Sequence, residues 1–427
     1  MIQVTRKSSF MLAATKSGAG KTTITLGILA AMVRRGLTVQ SFKVGPDFID
    51  PTLHQLITGN YSYNLDIRMM GQGNCLDVFD IKGTNADAKV VEGVMGLYDG
   101  GIASSAETAK LLNISVVLIV DATSCAESAV AAMLGFMLFD PDVHISGVIF
   151  NKIGSDRHRE LIEGAIPENF PIPVIGYLPR RTSFKIPERH LGLFMGKEKP
   201  LSDEGLESLV ETIEDFLDLD LILAESKIGG KNERKPEGKV IEPARVNIRK
   251  KKKIGVAYDE AFCFYYRQNL ELFEENGFEV IPFSPVHDSR LPDDVRMLYF
   301  GGGYPELYAG TLSANETMLD DLRSYHEKNM ALYGECGGIM YLCETLVNLE
   351  GTRFPMAGIF PFVTVMNKRF SALGYREAVL IKDSILGKKD DVIYGHEFHY
   401  SQIENPETSA AARDISALYK LDNNSYE

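Results

Sequence analysis

Two short stretches of this chain bring together residue types that do chemistry at fixed spacing. The first is Ala14-Thr-Lys-Ser-Gly-Ala-Gly-Lys-Thr22, which follows the apolar run Ser9–Ala13 and opens the helical pattern Thr23–Val33. A strand, a glycine-rich turn ending in Lys-Thr and then a helix form the setting that a nucleotide phosphate site needs. Gly18 and Gly20 let backbone N–H groups turn toward an anion, Lys21 reaches β- and γ-phosphates, and the Thr22 hydroxyl can ligate Mg²⁺. A plain glycine turn before a helix would not call for Lys-Thr at its end, so the pattern predicts an ATP or GTP site.

Carboxylates follow at the ends of the next two strands. Lys43-Val-Gly-Pro-Asp-Phe-Ile-Asp-Pro51 places Asp47 and Asp50 three apart between two prolines. In a doubly wound sheet such loops face the nucleotide, where carboxylates hold Mg²⁺ or position a substrate for phosphoryl transfer. Asp at a turn also serves local hydrogen bonding. Val90-Val-Glu-Gly-Val-Met-Gly-Leu-Tyr-Asp-Gly-Gly101 then adds Glu92 at a strand end and Asp99 in a second polar loop. Thr22, Asp47 and Glu92 are the expected metal-side groups. Asn151, ending the apolar run Ile145–Phe150, is a candidate for adenine recognition, with capping of the next segment as the alternative. The phosphate loop itself departs from the common form, since Thr15 stands five residues before Gly20 where a glycine is usual. Lys16 sits where a deviant subclass of these loops carries a second lysine, and members of that subclass often form homodimers over the nucleotide. A solvated lysine is the plainer alternative.

The second stretch is Tyr333-Gly-Glu-Cys-Gly-Gly-Ile-Met-Tyr-Leu342. Gly334-x-Cys336-x-Gly338 has the spacing of a nucleophile elbow, in which small neighbours let a strained residue project at a helix start. The helix dipole there would favour thiolate. A buried cysteine acting as a small hydrophobe needs no flanking glycines, and Cys343 fits that description. Upstream, Leu298-Tyr-Phe-Gly-Gly-Gly-Tyr-Pro-Glu306 reads as a strand ending in three glycines, whose N–H groups could form an oxyanion hole.

The elements that must position these groups are those of an α/β protein. At 427 residues the chain exceeds one ordinary core. Strand-like runs at Ser9–Ala13, Thr38–Phe42, Ala88–Val91, Ser115–Asp121, Ile145–Phe150 and Val174–Tyr177 alternate with longer helical patterns, which implies a doubly wound parallel sheet. Residues 226–253 turn polar and end in the basic run Arg249–Lys253, a linker between a first domain at 1–225 and a second α/β pattern at 254–427. With 45 basic and 58 acidic residues, the net charge of −13 argues against nucleic acid or an anionic membrane as main partner. The longest apolar run, Ile114–Val120, is too short to span a bilayer. No signal core opens the chain, and five cysteines without paired spacing argue against a disulfide framework or zinc site, so a soluble cytoplasmic protein is expected.

With both halves in view, the chain resembles the a,c-diamide synthases of corrinoid biosynthesis. The resemblance spans nearly the whole chain. It rests on Thr15–Thr23, Lys43–Pro51, Asn64-Leu-Asp66, Glu92–Gly101, Arg189-His-Leu-Gly192, Gly301–Glu306, Gly334–Gly338 and Gly395-His-Glu-Phe-His-Tyr-Ser401. It implies a dethiobiotin-synthetase-type ATPase joined to a triad-class glutamine amidotransferase. The implied chemistry is that Cys336 releases ammonia from L-glutamine, that ATP and Mg²⁺ phosphorylate carboxylates of a tetrapyrrole, and that ammonia displaces the phosphate. Thr15, Lys16, Gly18, Gly20, Lys21, Thr22 and Thr23 would bind nucleotide, and Asp47, Asp50, Glu92 and Asp99 fall on positions associated with the synthetase half. In the family, the histidine that activates the cysteine lies near the C-terminus in a Ser-Tyr-x-His-Leu-His-Phe-like segment. This sequence ends at Asn423-Asn-Ser-Tyr-Glu427 before any such segment, and only His396 and His399 follow Cys336. The expectation is therefore a shortened chain, or a weak glutaminase half that depends on free ammonia. His399 is the fallback base, and a structural or substrate-facing role for Gly395–Ser401 is the alternative. Two other readings compete. One is a Ni-sirohydrochlorin a,c-diamide synthase of coenzyme F430 biosynthesis; the other is a partner-switching deviant P-loop ATPase, which has no use for Cys336. Lys43 and Arg68 are suspects for a cationic pocket that would receive the polyanionic tetrapyrrole.

Overall fold

The computed structural model describes residues 7–180, 202–226, 251–404 and 417–421, with the backbone of 188–189 and 192–193. The chain divides into two compact units, Met1–Lys239 and Val240–Glu427. Nearly all of the expected linker at 226–253, and His190 and Leu191 of the Arg189–Gly192 motif, lie outside the described residues.

In the first unit, β1 (Ser8–Ala14), α1 (Lys21–Arg34), β2 (Val39–Val44), α2 (Asp50–Thr58), β3 (Tyr63–Leu65), α3 (Ile67–Lys82) and β4 (Ala88–Glu92) come first. They are followed by α4 (Ser105–Leu112), β5 (Ser115–Asp121), α5 (Glu127–Phe139), β6 (Ile145–Ile153), α6 (Asp156–Ala165) and β7 (Val174–Pro179). A short ribbon, β8 (Glu188–Arg189) with β9 (Gly192–Leu193), precedes α7 (Asp203–Phe216) and α8 (Leu219–Glu225). The sheet has seven strands in the order β3-β2-β4-β1-β5-β6-β7, and every pairing is parallel. All strand C-termini therefore open onto one edge, where a doubly wound fold binds its ligand. Period-two alternation sorts the core onto the two faces. Phe10, Leu12 and Ala14 of β1 pack with Leu26 and Leu29 of α1 and Leu209 and Ile213 of α7. Met11 and Ala13 pack on the other face with Leu118, Met133, Phe150 and Ile162.

The second unit begins with β10 (Lys252–Ala257), β11 (Phe262–Phe264), α9 (Arg267–Glu275), β12 (Phe278–Phe283), β13 (Val295–Phe300) and β14 (Gly302–Gly303). Next come α10 (Ala309–Ala314), α11 (Glu316–Glu327), β15 (Ala331–Gly334) and α12 (Gly337–Leu342). A parallel sheet in the order β12-β10-β13-β15 sets the C-termini of β13 and β15 side by side, with Phe300 paired to Gly334. Beyond α12 the chain departs from the helix–strand rhythm expected for it. β16 (Cys343–Val347), β17 (Arg353–Pro355), β18 (Phe360–Met366), β19 (Ala372–Leu380), β20 (Val392–His399), β21 (Ser401–Ile403) and β22 (Tyr419–Leu421) build two further sheets, β17-β16-β18-β21 and β20-β19-β22. Runs such as Phe360-Pro-Phe-Val-Thr-Val-Met366 are β-branched and aromatic, which favours strand. Among the described residues, no helix is long and apolar enough to cross a membrane.

Candidate functional site

The glycine-rich turn runs between β1 and α1 as expected. Gly20 adopts φ 93°, and a Cβ there would stand 2.5 Å from Asn151 Nδ2, so only glycine fits without displacing that amide. Asn151 donates from Nδ2 to the Ala19 carbonyl at 2.7 Å and accepts the Lys152 N–H at 2.8 Å. Its amide therefore braces the phosphate loop from β6. Lys152 adds a second brace, donating from Nζ to the Gly18 carbonyl at 2.7 Å. Asp121 at the end of β5 holds Lys152 and Lys16 together, each Nζ 3.1 Å from Oδ2. Lys16 is thus paired within its own chain. Burial opposes ionisation of Asp121, but Thr123, Lys16 and Lys152 outweigh it and hold the carboxyl well below the usual range.

Around Thr22 the strand ends deliver a dense polar cluster. The Thr22 hydroxyl lies 2.8 Å from Glu92 Oε1 and 3.4 Å from Asp50 Oδ2. Lys43, the β2 residue in register with Glu92, donates to Asp50 Oδ2 at 2.5 Å and to Glu92 Oε1 at 3.0 Å. His54 places Nε2 2.8 Å from Glu92 Oε2. Asp47 is farther off, with Oδ2 3.7 Å from Lys43 Nζ and Oδ1 accepting the N–H groups of Ile49 and Asp50 at the start of α2. Besides Glu92, the carboxylate within reach of the Thr22 hydroxyl is therefore Asp50, one of the two expected in this loop. Asp99 accepts the Gly96 N–H at 3.0 Å and caps its own loop; its charge still acts on Lys21. Lys21 donates to the Met95 carbonyl, and burial, followed by the Lys43 charge, lowers its pKa. Lys43 is only 4% exposed and committed to carboxylates, so it is not a tetrapyrrole-facing cation.

Three carboxylates surround the single Lys43 ammonium in this cluster. Burial, then the charges of Asp47 and Glu92, push Asp50 well above the usual carboxylate range. Glu92 goes the other way: burial opposes its ionisation, but Lys43, His54 and Thr22 hold it below that range. Among the described residues, no three His, Cys, Asp or Glu side chains converge as a metal cage. Mg²⁺ does not require one, because it is held by one or two carboxylates together with substrate phosphates. The oxygen donors of Thr22, Asp50 and Glu92 fit that chemistry.

In the second unit, Cys336 follows β15 and starts α12 at φ 50°, ψ −118°, a strained conformation for a residue with a Cβ. The flanking glycines are sterically required: a Cβ on Gly338 would stand 2.3 Å from the Phe300 carbonyl oxygen. Cys336 is exposed to solvent. The N–H groups of Gly337 and Gly303 lie toward its sulfur and favour the thiolate. The thiol is not acidified, contrary to the helix-dipole expectation. Crowding around the sulfur raises it first, the carboxylates of Glu335 and Glu306 raise it further, and together they bring it to about 11. Glu335 is itself held by Tyr299 at 2.5 Å and Tyr333 at 3.1 Å. His399, the fallback base, ends β20 with its Nδ1 2.8 Å from the Ser401 carbonyl, and among the described residues no hydrogen bond joins it to Cys336. His396 packs edge-on against Tyr375.

Sequence reasoning missed His54, because Asp50 was read as part of a loop and the helix α2 that sets Asp50 and His54 on one face was not expected. It also missed the Asp121–Lys152 brace, which has no local motif.

Comparison with known proteins assigns both halves. Residues 10–194 match the CobQ/CobB/MinD/ParA nucleotide binding domain, and residues 253–425 match the CobB/CobQ-like glutamine amidotransferase domain. Over 399 residues the chain is 46% identical to the cobyrinate a,c-diamide synthase of Caldanaerobacter subterraneus subsp. tengcongensis, covering 92% of this chain and 86% of that protein. The enzymes of that name from Listeria monocytogenes serotype 4b and Salmonella typhimurium are 42% and 41% identical. They cover 94% and 95% of this chain, and 88% of each relative.

Proposed function

The chain belongs to the cobyrinate a,c-diamide synthase family, and we propose that it amidates the a and c carboxylates of cobyrinate at the expense of ATP, drawing nitrogen from glutamine. The observation that carries this reading is the presence, in one chain, of a phosphate loop ringed by Thr22, Asp50 and Glu92 and a strained, solvent-reaching thiol facing two backbone donors. We assign the first role to residues 1–225 and the second to 254–427.

In the first unit, Lys21 and the N–H groups of the loop bind the phosphates of ATP. A substrate carboxylate oxygen attacks the γ-phosphorus, ADP leaves, and an acyl phosphate forms. Magnesium, when bound, neutralises charge building on the phosphate oxygens; Thr22, Asp50 and Glu92 would hold it, with Asp47 at the rim. Lys43 keeps the carboxylates from repelling one another, and Asn151 and Lys152 keep the loop in shape. Ammonia then attacks the acyl carbon and phosphate departs, leaving the amide. In the second unit, Cys336 Sγ attacks the side-chain amide carbon of glutamine. Its developing oxyanion meets the N–H groups of Gly303 and Gly337, ammonia leaves, and water hydrolyses the thioester to glutamate. A cytoplasmic setting, and a homodimer in which nucleotide draws Lys16 from Asp121 to a partner's phosphates, belong to the same proposal.

Purified protein incubated with ATP, Mg²⁺ and glutamine should add two amides to cobyrinate, counted by mass spectrometry. Ready amidation of Ni-sirohydrochlorin with cobyrinate untouched would overturn this assignment in favour of the nickel substrate.

A further inference from the structure

The carboxylate at the centre of the first site is gripped from behind by a group that the steps above do not use. His54 lies one helical turn after Asp50 on α2, so both side chains project from one face. That face meets the ends of β2 and β4, where Lys43 and Glu92 are register partners. Glu92 is held at both oxygens: Oε2 by His54 Nε2 at 2.8 Å, and Oε1 by the Thr22 hydroxyl at 2.8 Å and Lys43 Nζ at 3.0 Å. On its far side the His54 ring reaches Ser62, with Nδ1 3.2 Å from Oγ. Turning the ring would break both contacts. His54 and Glu92 are each 0% exposed, so the contact between them is shielded from bulk solvent.

We propose that His54 is a positioning residue for phosphoryl transfer: by fixing Oε2 of Glu92 it directs Oε1 to Thr22 and to phosphate-bound magnesium. A carboxylate offers two equivalent oxygens on a rotatable bond. Without the ring, Glu92 can swing wholly onto Lys43 and leave the threonine hydroxyl. Groups that orient a metal-side ligand in this way commonly contribute about 10–100-fold in metal affinity or activity. The proposal rests on the magnesium reading given above.

Calorimetric binding of a non-hydrolysable ATP analogue, with Mg²⁺ and with EDTA, tests it on the full chain. A Gln amide reaches the place of Nε2, whereas an Asn amide reaches only that of Nδ1. His54→Ala and His54→Asn should lose about 10–100-fold of the magnesium-dependent gain in affinity, while metal-free binding stays unchanged. His54→Gln should keep most of that gain. In turnover, kcat should fall in the Ala and Asn variants with KM for the tetrapyrrole unaltered. Melting without nucleotide reports folding, and if His54→Ala does not fold, the Gln and Asn variants decide. Equal losses with and without Mg²⁺, or none in His54→Asn, overturn the proposal. A wild-type protein with no magnesium-dependent gain removes the cation reading and the proposal with it.

Discussion

Cys336 shows how a side chain's surroundings override its motif. Gly334-x-Cys336-x-Gly338 announced the elbow from spacing alone, and the backbone bears it out at φ 50°. The acid–base state of the thiol could not be read the same way. α12 is only six residues long, so its dipole is weak; Glu335 is the cysteine's own neighbour in sequence, whereas Glu306 acts on the sulfur from a separate loop that no local pattern brings there. Glu335 raises the thiol pKa by its charge, so Glu335→Gln should move the pH midpoint of Cys336 alkylation by iodoacetamide downward from about 11. An unchanged or higher midpoint would remove Glu335 from the account. Thr22 and Glu92 were equally readable, because they end a loop and a strand whose chemistry is local. Asp50 was readable beside Asp47 in the same loop, but which of the two α2 turns toward Lys43 and Thr22 depends on packing that no local pattern carries.

Elements were more legible than contacts. All six strands expected in the first unit are present; most are predominantly apolar runs of the kind that a parallel sheet buries on both faces, although β2 carries the buried polar Gln40 and Ser41. β3, three residues at the sheet edge, is too short to stand out. The β-rich segment after Leu342 was missed because its strands alternate weakly and pair across long separations. The brace between β5 and β6 belongs here as well. Asp121 has a folded pKa below its ordinary value of about 3.9, so the stability it contributes is present above that value and lost as pH falls through the folded pKa. Asp121→Asn should therefore melt below the wild-type protein at neutral pH, and the gap should close on acidification below about 4. Nucleotide affinity should fall in the same variant, because Lys152, which braces the Gly18 carbonyl, loses its anchor. A gap that is constant with pH would show that Asp121 acts otherwise.

The two units divide one reaction into activation and nitrogen supply. The first gathers carboxylates around a phosphate loop; the second exposes a sulfur beside two backbone donors. Net charge and composition located neither centre. The most direct measurement follows amide formation on cobyrinate by mass spectrometry with either glutamine or ammonium as nitrogen source. Cys336→Ala should form no amide from glutamine yet amidate with ammonium, whereas Glu92→Gln should fail with both. Glutamine-driven amidation by Cys336→Ala, or unimpaired amidation by Glu92→Gln, would contradict the account.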